Sequence, residues 1–500
     1  MAKHARGTTE EQITRLERNR QLLLDAIAGR ATCASSAEPT PQGALTLILE
    51  RFVVPQDRPG IVPFEGAYGV ERLLDALTSF GFGPIFSDGH LVGIEGGIAA
   101  GGDPIPLPVR CTVGAGAQLV LEVGPSDDLT RTLNVIAAFD RHVHLAAQSL
   151  GRSYRLLAQG YHPFANSPSD IVVVPTAANA YTNAHLSRTG HLARDMMRCT
   201  AGTRVRLSLP ADPAEACAHY RLACALAPLA AFLCDNTLKV RDRKPATTPR
   251  MARALVFERV DHTRCGVVDG TFFEWFDAQA YECWLEGIAP IYFTSTDGVC
   301  FSTETDPLER VLEERELTLD EACDLLTHVF PWARWDGSLD LLAADSLQPR
   351  QAAGYAALVK GLILSPEGRC AAEAFLGVDK LTDLDVTQAF TELRRRAWDA
   401  RVYGRPITQL AHELAAIASR NLARREERNL LDGLAQLWDV GMVPRDALVM
   451  GWERTRPLSR EEEAALLWGE GAVIPYEQLE GEPPAGSTSV MSLEQLRQET

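Results

Sequence analysis

Histidines, glycines and cysteines are the residues whose spacing first suggests chemistry. His142 and His144 lie two residues apart in a helical stretch, whereas two metal ligands on one helix need a spacing of three or four. We therefore interpret them as solvated or capped side chains. The glycine cluster Gly93–Gly102 lacks the GxGxxG pattern of a phosphate-binding loop, so a plain turn is the simpler interpretation. None of the eleven cysteines forms a CxxC pair, which predicts free thiols rather than a zinc ribbon or a disulfide scaffold.

Two further patterns favour structural roles over chemistry. The aromatic segment Thr271–Trp284 could form a pocket wall, but aromatic spacing of this kind is more often core packing. The arginine clusters Arg394–Arg396 and Arg420–Arg428 are interleaved with glutamates, which is typical of solvated helix faces.

Composition and charge exclude several classes of protein. Hydrophobic residues make up 46% and charged residues 23% of the 500 residues, an ordinary globular composition. The net charge of −17 argues against a general binder of nucleic acid or anionic membranes. The charged start of the chain resembles no signal peptide, and no uninterrupted apolar run reaches the length of about 18 residues that a membrane helix needs. We therefore expect a cytoplasmic protein.

Periodicity predicts the elements that must position any site. Strand patterns occupy five segments of the first half, at 44–54, 90–94, 109–113, 118–123 and 203–209, with a further candidate at Ile171–Val174. Helical patterns are predicted at 9–29, 69–80, 127–150, 213–236, 319–329, 349–364, 384–402, 407–420 and 423–440. A strand-rich first half with a helical second half indicates an α+β fold.

No flexible linker is evident before about residue 480, which favours one large domain. We place an N-terminal helix and loop at 1–43, the main domain at 44–455 and a C-terminal extension at 456–500. That extension combines a Pro/Gly/Ser-rich linker with a short helix, which has a capping box from Ser492 to Gln495.

Five segments in order resemble the plant and proteobacterial type of glutamate–cysteine ligase, in the carboxylate–amine ligase superfamily. They are DMMRCTAGTRVRLSL, YRLACALAPLAAFLCDN, RALVFERVDHTRCG, APIYF and HVFPWAR. The resemblance runs from about Ala44 to Trp452 and is strongest over Asp195–Phe293. It implies a glutamine-synthetase-like antiparallel sheet that forms a concave site, surrounded by helices, with a mostly helical C-terminal half.

The resemblance also implies an activity and its cofactors. ATP would phosphorylate the γ-carboxylate of glutamate, and the amine of cysteine would displace the phosphate, the ligation of glutathione biosynthesis. Such phosphoryl transfer needs Mg²⁺ and cationic side chains, and the small-molecule substrates would be ATP and amino acids. Family members supply the Mg²⁺ ligands from glutamates on two strands and the cations from a P-K-x-R-Y loop.

This chain departs from the family pattern at those positions. Ile48 stands at the first strand glutamate and only Glu50 remains of that pair, while Gly114 and Val120 replace the glutamates of the second strand. In the basic loop Thr176, Ala178 and Asn179 replace lysine, arginine and tyrosine. Further along, Arg204 and Ser208 replace glutamine and aspartate, and Asp336 and Leu342 replace lysine and arginine.

Two hypotheses follow. In the first, the chain is an ATP-dependent ligase with Glu50 and Arg264 as catalytic candidates and Glu50 as the surviving metal ligand. The candidates for binding ATP or substrate are Gln118, Thr200, Asn236, Arg253 and Arg334. In the second, it is a catalytically inactive homologue, a pseudo-ligase that acts as a binding or regulatory partner. The retained residues also have structural interpretations, an Arg253–Asp261–Arg264 ion cluster and a strand-to-loop hydrogen bond from Gln118.

Overall fold

A computed structural model of the chain describes residues 10–30, 43–294, 299–302, 306–452 and 490–491. It confirms the α+β class, with a large antiparallel sheet surrounded by helices. The strands are β1 Leu45–Pro55, β2 Gly83–Ser87, β3 His90–Ile98, β4 Leu107–Val113, β5 Leu119–Ser126, β6 Tyr154–Leu157, β7 Thr203–Ser208, β8 Cys265–Gly266, β9 Phe293–Thr294, β10 Cys300–Phe301, β11 Phe330–Pro331, β12 Ala333–Trp335, β13 Ser338–Leu341, β14 Arg401–Val402, β15 Arg405–Pro406 and β16 Val490–Met491. The helices are α1 Glu10–Ile27, α2 Val70–Thr78, α3 Leu129–Ser149, α4 Ala177–Leu186, α5 Ala193–Cys199, α6 Pro213–Leu233, α7 Ala252–Glu258, α8 Ala278–Glu286, α9 Leu308–Glu314, α10 Leu319–Leu325, α11 Pro349–Val359, α12 Pro366–Leu376, α13 Asp383–Arg396, α14 Ile407–Asn421, α15 Arg425–Asp439 and α16 Pro444–Trp452.

Within the described residues the main sheet contains ten strands, and every neighbouring pair among them is antiparallel. Its order is β12-β13-β7-β1-β5-β4-β3-β16, with β2 also pairing with β3 and β6 with β1. Because side chains alternate along a strand, each strand contributes one apolar and one polar row. Leu45, Leu47 and Leu49 of β1 lie on the apolar face and are buried, and Ile48 and Glu50 lie on the opposite, polar face.

Helix α6 is the central helix of the core. It is long and apolar enough to cross a membrane, but 89% of its most apolar window is buried inside the protein, so it is a core helix of the fold. The Asp212 side chain caps it by accepting a hydrogen bond from the N–H of Ala214. Helix α6 packs against β12, β13 and α13, which joins the helical second half to the sheet.

Most predicted elements occur within a few residues of their expected bounds. The strand predicted at Ile171–Val174 is wrong, because this segment runs without ladder partners between a 3-10 turn at Pro168–Asp170 and Pro175. The expectation of free thiols fails at Cys323, which is disulfide-bonded, and holds for nine other cysteines. The predicted C-terminal linker and helix lie outside the described residues. Within the extension, Val490 and Met491 pair with Ile98 and Gly97 of β3. The division into these three segments stays a prediction.

Candidate functional site

A ladder of alternating charges crosses the polar face of the sheet. Cross-strand register places Arg110 of β4 opposite Glu95 of β3 on one side and Glu122 of β5 on the other. Beyond β1, the ladder continues with Arg204 and Arg206 on β7, which pair with Asp340 on β13, and with Arg334 on β12. Opposite charges on neighbouring strands stabilise a sheet, so this arrangement is a structural element in its own right.

Glu50, the one glutamate that remains of the two in the family's first strand motif, already has two partners within the protein. Its Oε2 accepts a hydrogen bond of 2.8 Å from the N–H of Gly202, and its Oε1 lies 3.3 Å from Nε of Arg204. The guanidinium of Arg204 also contacts Asp340, with Nη1 at 3.1 Å from Oδ2. Both oxygens of the Glu50 carboxylate are therefore engaged within the protein.

Asp340 is the hub of the ladder. Its Oδ2 contacts three guanidinium groups, those of Arg204 at 3.1 Å, Arg334 at 3.2 Å and Arg206 at 3.7 Å, and its side chain is fully buried. Burial alone would raise the pKa of Asp340, but the three arginines outweigh it and hold the pKa below its ordinary value. Asp340 is therefore ionised and neutralises part of the arginine charge.

Ile48 lies beneath an ion pair that spans its strand. Nη1 of Arg206 is 2.8 Å from Oε2 of Glu122, and these two residues belong to the strands on either side of β1. Ile48 is opposite both Arg204 and Glu122 in register and has no exposed surface. The apolar side chain at this family glutamate position is thus covered by charges from its two neighbours.

Gln118 and Thr200 shape the turn between β4 and β5. Oε1 of Gln118 accepts a hydrogen bond of 2.9 Å from the N–H of Gly116, and its Nε2 donates to the carbonyls of Arg198 and Thr200 at 3.2 and 2.9 Å. The hydroxyl of Thr200 donates to the carbonyl of Met196. A Cβ at Gly116 would collide with the Arg198 carbonyl, so this turn requires glycine there.

Asn236, Arg253 and Arg264 are likewise bound to the backbone. Asn236 donates to the carbonyls of Ala158 and Ser346 at 3.0 and 2.8 Å. Arg253 donates to the carbonyls of the β13–α11 connection, at 342 and 344, and is 2% exposed. Arg264 donates to Asp261 and to the carbonyls at 289 and 328. Arg253 forms no ion pair with Asp261 in the described structure, so the proposed three-residue cluster reduces to Arg264 and Asp261.

The structure thus assembles Glu50 and Arg334 on one sheet face and disperses the other candidates among backbone contacts. Arg206 and Glu122 were not predicted as site residues from the sequence, and the contacts of Asp340 with three arginines were not predicted either. The pattern that could have identified them is the alternation of charged and apolar residues in TRVRLS and LVLEV, because neighbouring strands place such charges on one face.

These residues do not fit a bound Mg²⁺. Among the residues that the structure describes, no three His, Cys, Asp or Glu side chains come together as a metal-binding group. A cation on Glu50 would compete with the guanidinium of Arg204, and two unit charges 4 Å apart repel by about 4 kcal/mol at an effective dielectric of about 20. A dication doubles that cost. Mg²⁺ also requires several free oxygen ligands, which Glu50 alone does not supply.

Residues 175–179, which stand at the positions of the family's basic loop, also offer no cation for the phosphates of ATP. Thr176 caps α4 by accepting a hydrogen bond from the N–H of Asn179, and the side chain of Asn179 donates to the carbonyl of Val174. Arg204, Arg206 and Arg334 on the sheet face are each paired with carboxylates. The segment therefore has a structural role in helix capping.

The chain matches the family model described as Glutamate-cysteine ligase family 2 over residues 95–462, well over half of its length. It is a chain of the carboxylate–amine ligase class. Within that class, it belongs to glutamate–cysteine ligase family 2. A comparison with curated proteins finds no match.

Two solved structures are similar to the chain. One is a bifunctional glutathione synthetase from Pasteurella multocida, with 12% identity, a TM-score of 0.43 and coverage of 91% of this chain and 54% of that one. The other is the complex between the prokaryotic ubiquitin-like protein Pup and its ligase PafA, with 13% identity, a TM-score of 0.40 and coverage of 85% and 72%. The chain thus spans about half the length of the glutathione synthetase chain.

Proposed function

We propose that this chain is a non-catalytic member of its family, a pseudo-ligase that acts as a binding or regulatory partner in the cytoplasm. The observation that carries the proposal is the Arg206–Glu122 ion pair above the buried Ile48. Arginines occupy the carboxylates of this face that the family reaction would need free, since Glu50, Glu122 and Asp340 each form an ion pair with a guanidinium.

The number of simultaneous losses strengthens the proposal. Removing one electrostatic contact from a catalytic site commonly lowers the rate by about a hundredfold or more. Here Ile48, Gly114 and Val120 offer no oxygen ligand, and the basic loop holds no lysine or arginine at the family positions. Compensation by a single altered substrate contact would not restore phosphoryl transfer.

A second candidate is the ATP-dependent ligation of the glutamate γ-carboxylate to the cysteine amine through an acyl phosphate. The match to the ligase family favours it, as does the presence of Glu50 and Arg334 on one sheet face. For that reaction to run with ATP and Mg²⁺, Arg204 would have to leave Glu50 so that the carboxylate could bind the cation.

The two candidates differ in turnover. The purified chain is incubated with Mg-ATP, glutamate and cysteine, and ADP and the γ-glutamyl product are quantified. The assay is then repeated with other amino acids and amines as substrates. We expect no ADP above the background of a protein-free control. Turnover that Glu50→Gln abolishes, and that the exposed-acid control Glu65→Gln leaves unchanged, would overturn the pseudo-ligase proposal and support the ligase.

A further inference from the structure

Two aromatic rings stand exposed on the loop before α8. Phe273 is 57% and Trp275 64% exposed, and their rings stack on each other with centroids 5.4 Å apart and an interplanar angle of 24°. Large aromatic side chains usually bury their surface, and exposed ones mark interaction sites. The neighbouring Phe276 is buried and stacks on Tyr220, so it anchors the same loop in the core.

The backbone of this loop is held rigidly from below. The guanidinium of Arg221 donates to four of its carbonyls, those of residues 271, 273, 274 and 276, at 2.8–3.4 Å. The carboxylate of Asp383 accepts hydrogen bonds from the N–H groups of Gly270 and Phe272. The exposed rings are therefore presented on a fixed support, which lowers the conformational entropy lost when a partner binds.

The charges around the rings are acidic. Asp269, Glu274 and Asp277 are exposed in the same loop, and Asp383 lies against its backbone. The positive charge of Arg221 is directed at loop carbonyls. An aromatic pair surrounded by carboxylates suits a guanidinium or ammonium group, which gains both a cation–π contact and ion pairs.

We propose that the aromatic loop, residues 269–277, is a docking site for an arginine- or lysine-containing segment of a partner protein. Trp275 and Phe273 are the anchors, and Glu274 and Asp269 supply the complementary charge. Trp and Tyr anchors commonly dominate the binding energy of protein interfaces. Binding at this loop requires no catalytic activity on the sheet face.

Fluorescence anisotropy with a labelled hexapeptide of alternating arginine and leucine tests the site on the full chain. We expect the peptide to bind, and its affinity to weaken with salt. The affinity should fall about tenfold in the Phe273→Ala/Trp275→Ala variant and severalfold in Glu274→Gln. The control Val172→Ala, which trims another exposed apolar residue, should bind as the wild type does. A peptide with glutamate in place of arginine should not bind.

Three outcomes would overturn the proposal. The first is equal peptide affinity of the double variant and the wild type. The second is a dimer in sedimentation velocity that the double variant abolishes, which would identify a second copy of the chain as the occupant. The third is binding to phosphatidylcholine vesicles that depends on the two rings, which would identify a lipid surface.

Discussion

Arg206 reaches across strand β1 to Glu122, and their charged atoms meet at 2.8 Å above the side chain of Ile48. The pair joins the two strands that flank β1, so it ties three strands together on the polar face. The same guanidinium approaches Asp340 on β13. A ligand that needs the carboxylate of Glu50, Glu122 or Asp340 must therefore compete with an arginine of the protein itself.

Arg206→Met should destabilise the chain by about 1–3 kcal/mol, because the largely buried carboxylate of Glu122 loses its 2.8 Å ion pair. Urea denaturation at pH 7 measures the change. The Glu122→Gln variant and the double variant complete a cycle, and the coupling energy should exceed about 0.5 kcal/mol. Strictly additive single losses would show that the ion pair contributes nothing.

Asp340→Asn should cost about 3–5 kcal/mol at pH 7, since it removes the shared carboxylate of three arginines. The pKa of Asp340 is lowered in the folded chain, so its stabilisation is present above the unfolded value of 3.8 and is lost as the pH falls through the folded value. The difference between wild type and variant should therefore shrink in acid. An equal difference at pH 7 and pH 3 would contradict this account.

Glu282→Gln should stabilise the chain at alkaline pH. Burial and the neighbouring Glu286 raise the pKa of Glu282 to about 8, and its Oε1 has no hydrogen-bond partner in the described structure. A neutral Glu282 is thus favoured in the folded chain, and wild-type stability falls as the pH rises from the unfolded value of 4.5 through about 8.

The variant should gain about 1–3 kcal/mol over wild type at pH 9 and little at pH 4.5, measured by thermal denaturation. Glu286→Gln is the contrasting variant: it removes the acceptor of a 2.7 Å hydrogen bond from Arg20 and should destabilise the chain, and it should also lower the pKa of Glu282. A Glu282→Gln effect that does not depend on pH would refute the raised pKa.

Gln118→Leu should lower the free energy of unfolding by about 1–3 kcal/mol, because three backbone groups lose their partner in a buried turn. Gln118→Glu should destabilise at least as much, since a carboxylate would face the carbonyls of Arg198 and Thr200. Thermal denaturation of both variants tests this. Unchanged stability in both would contradict a structural role of Gln118 in the turn.

The local patterns of the sequence were sufficient for the five longest strands and for the helices longer than eleven residues. Alternation in β1 and β7 and the long apolar run of α6 predicted these elements almost at their observed bounds. Strands β2 and β12 were not predicted because they are short, with five and three residues, although each forms a hairpin with the strand that follows it. At 171–174, Ile171, Val173 and Val174 pack against core clusters without entering the sheet and Val172 is exposed, so the apolar run alone was misleading there.

The site was less predictable than the fold. Spacing could place Glu50 on a strand, but only the register of β5, β1 and β7 brings Arg206 to Glu122 over Ile48. A glutamine such as Gln118 or an arginine such as Arg253 can either bind a ligand or hydrogen-bond backbone groups of the protein. The residue type does not distinguish these two roles, so the surrounding structure is needed. Three-dimensional pairing, rather than residue type, decides these roles.

The most direct test of the pseudo-ligase proposal is calorimetric titration of the folded chain with Mg-ATP, without and with glutamate. We expect no binding heat beyond dilution in either titration, since Arg204 and Arg206 hold the carboxylates that a cation would need. Saturable Mg-ATP binding that requires Mg²⁺ and that Glu50→Gln abolishes would contradict the proposal.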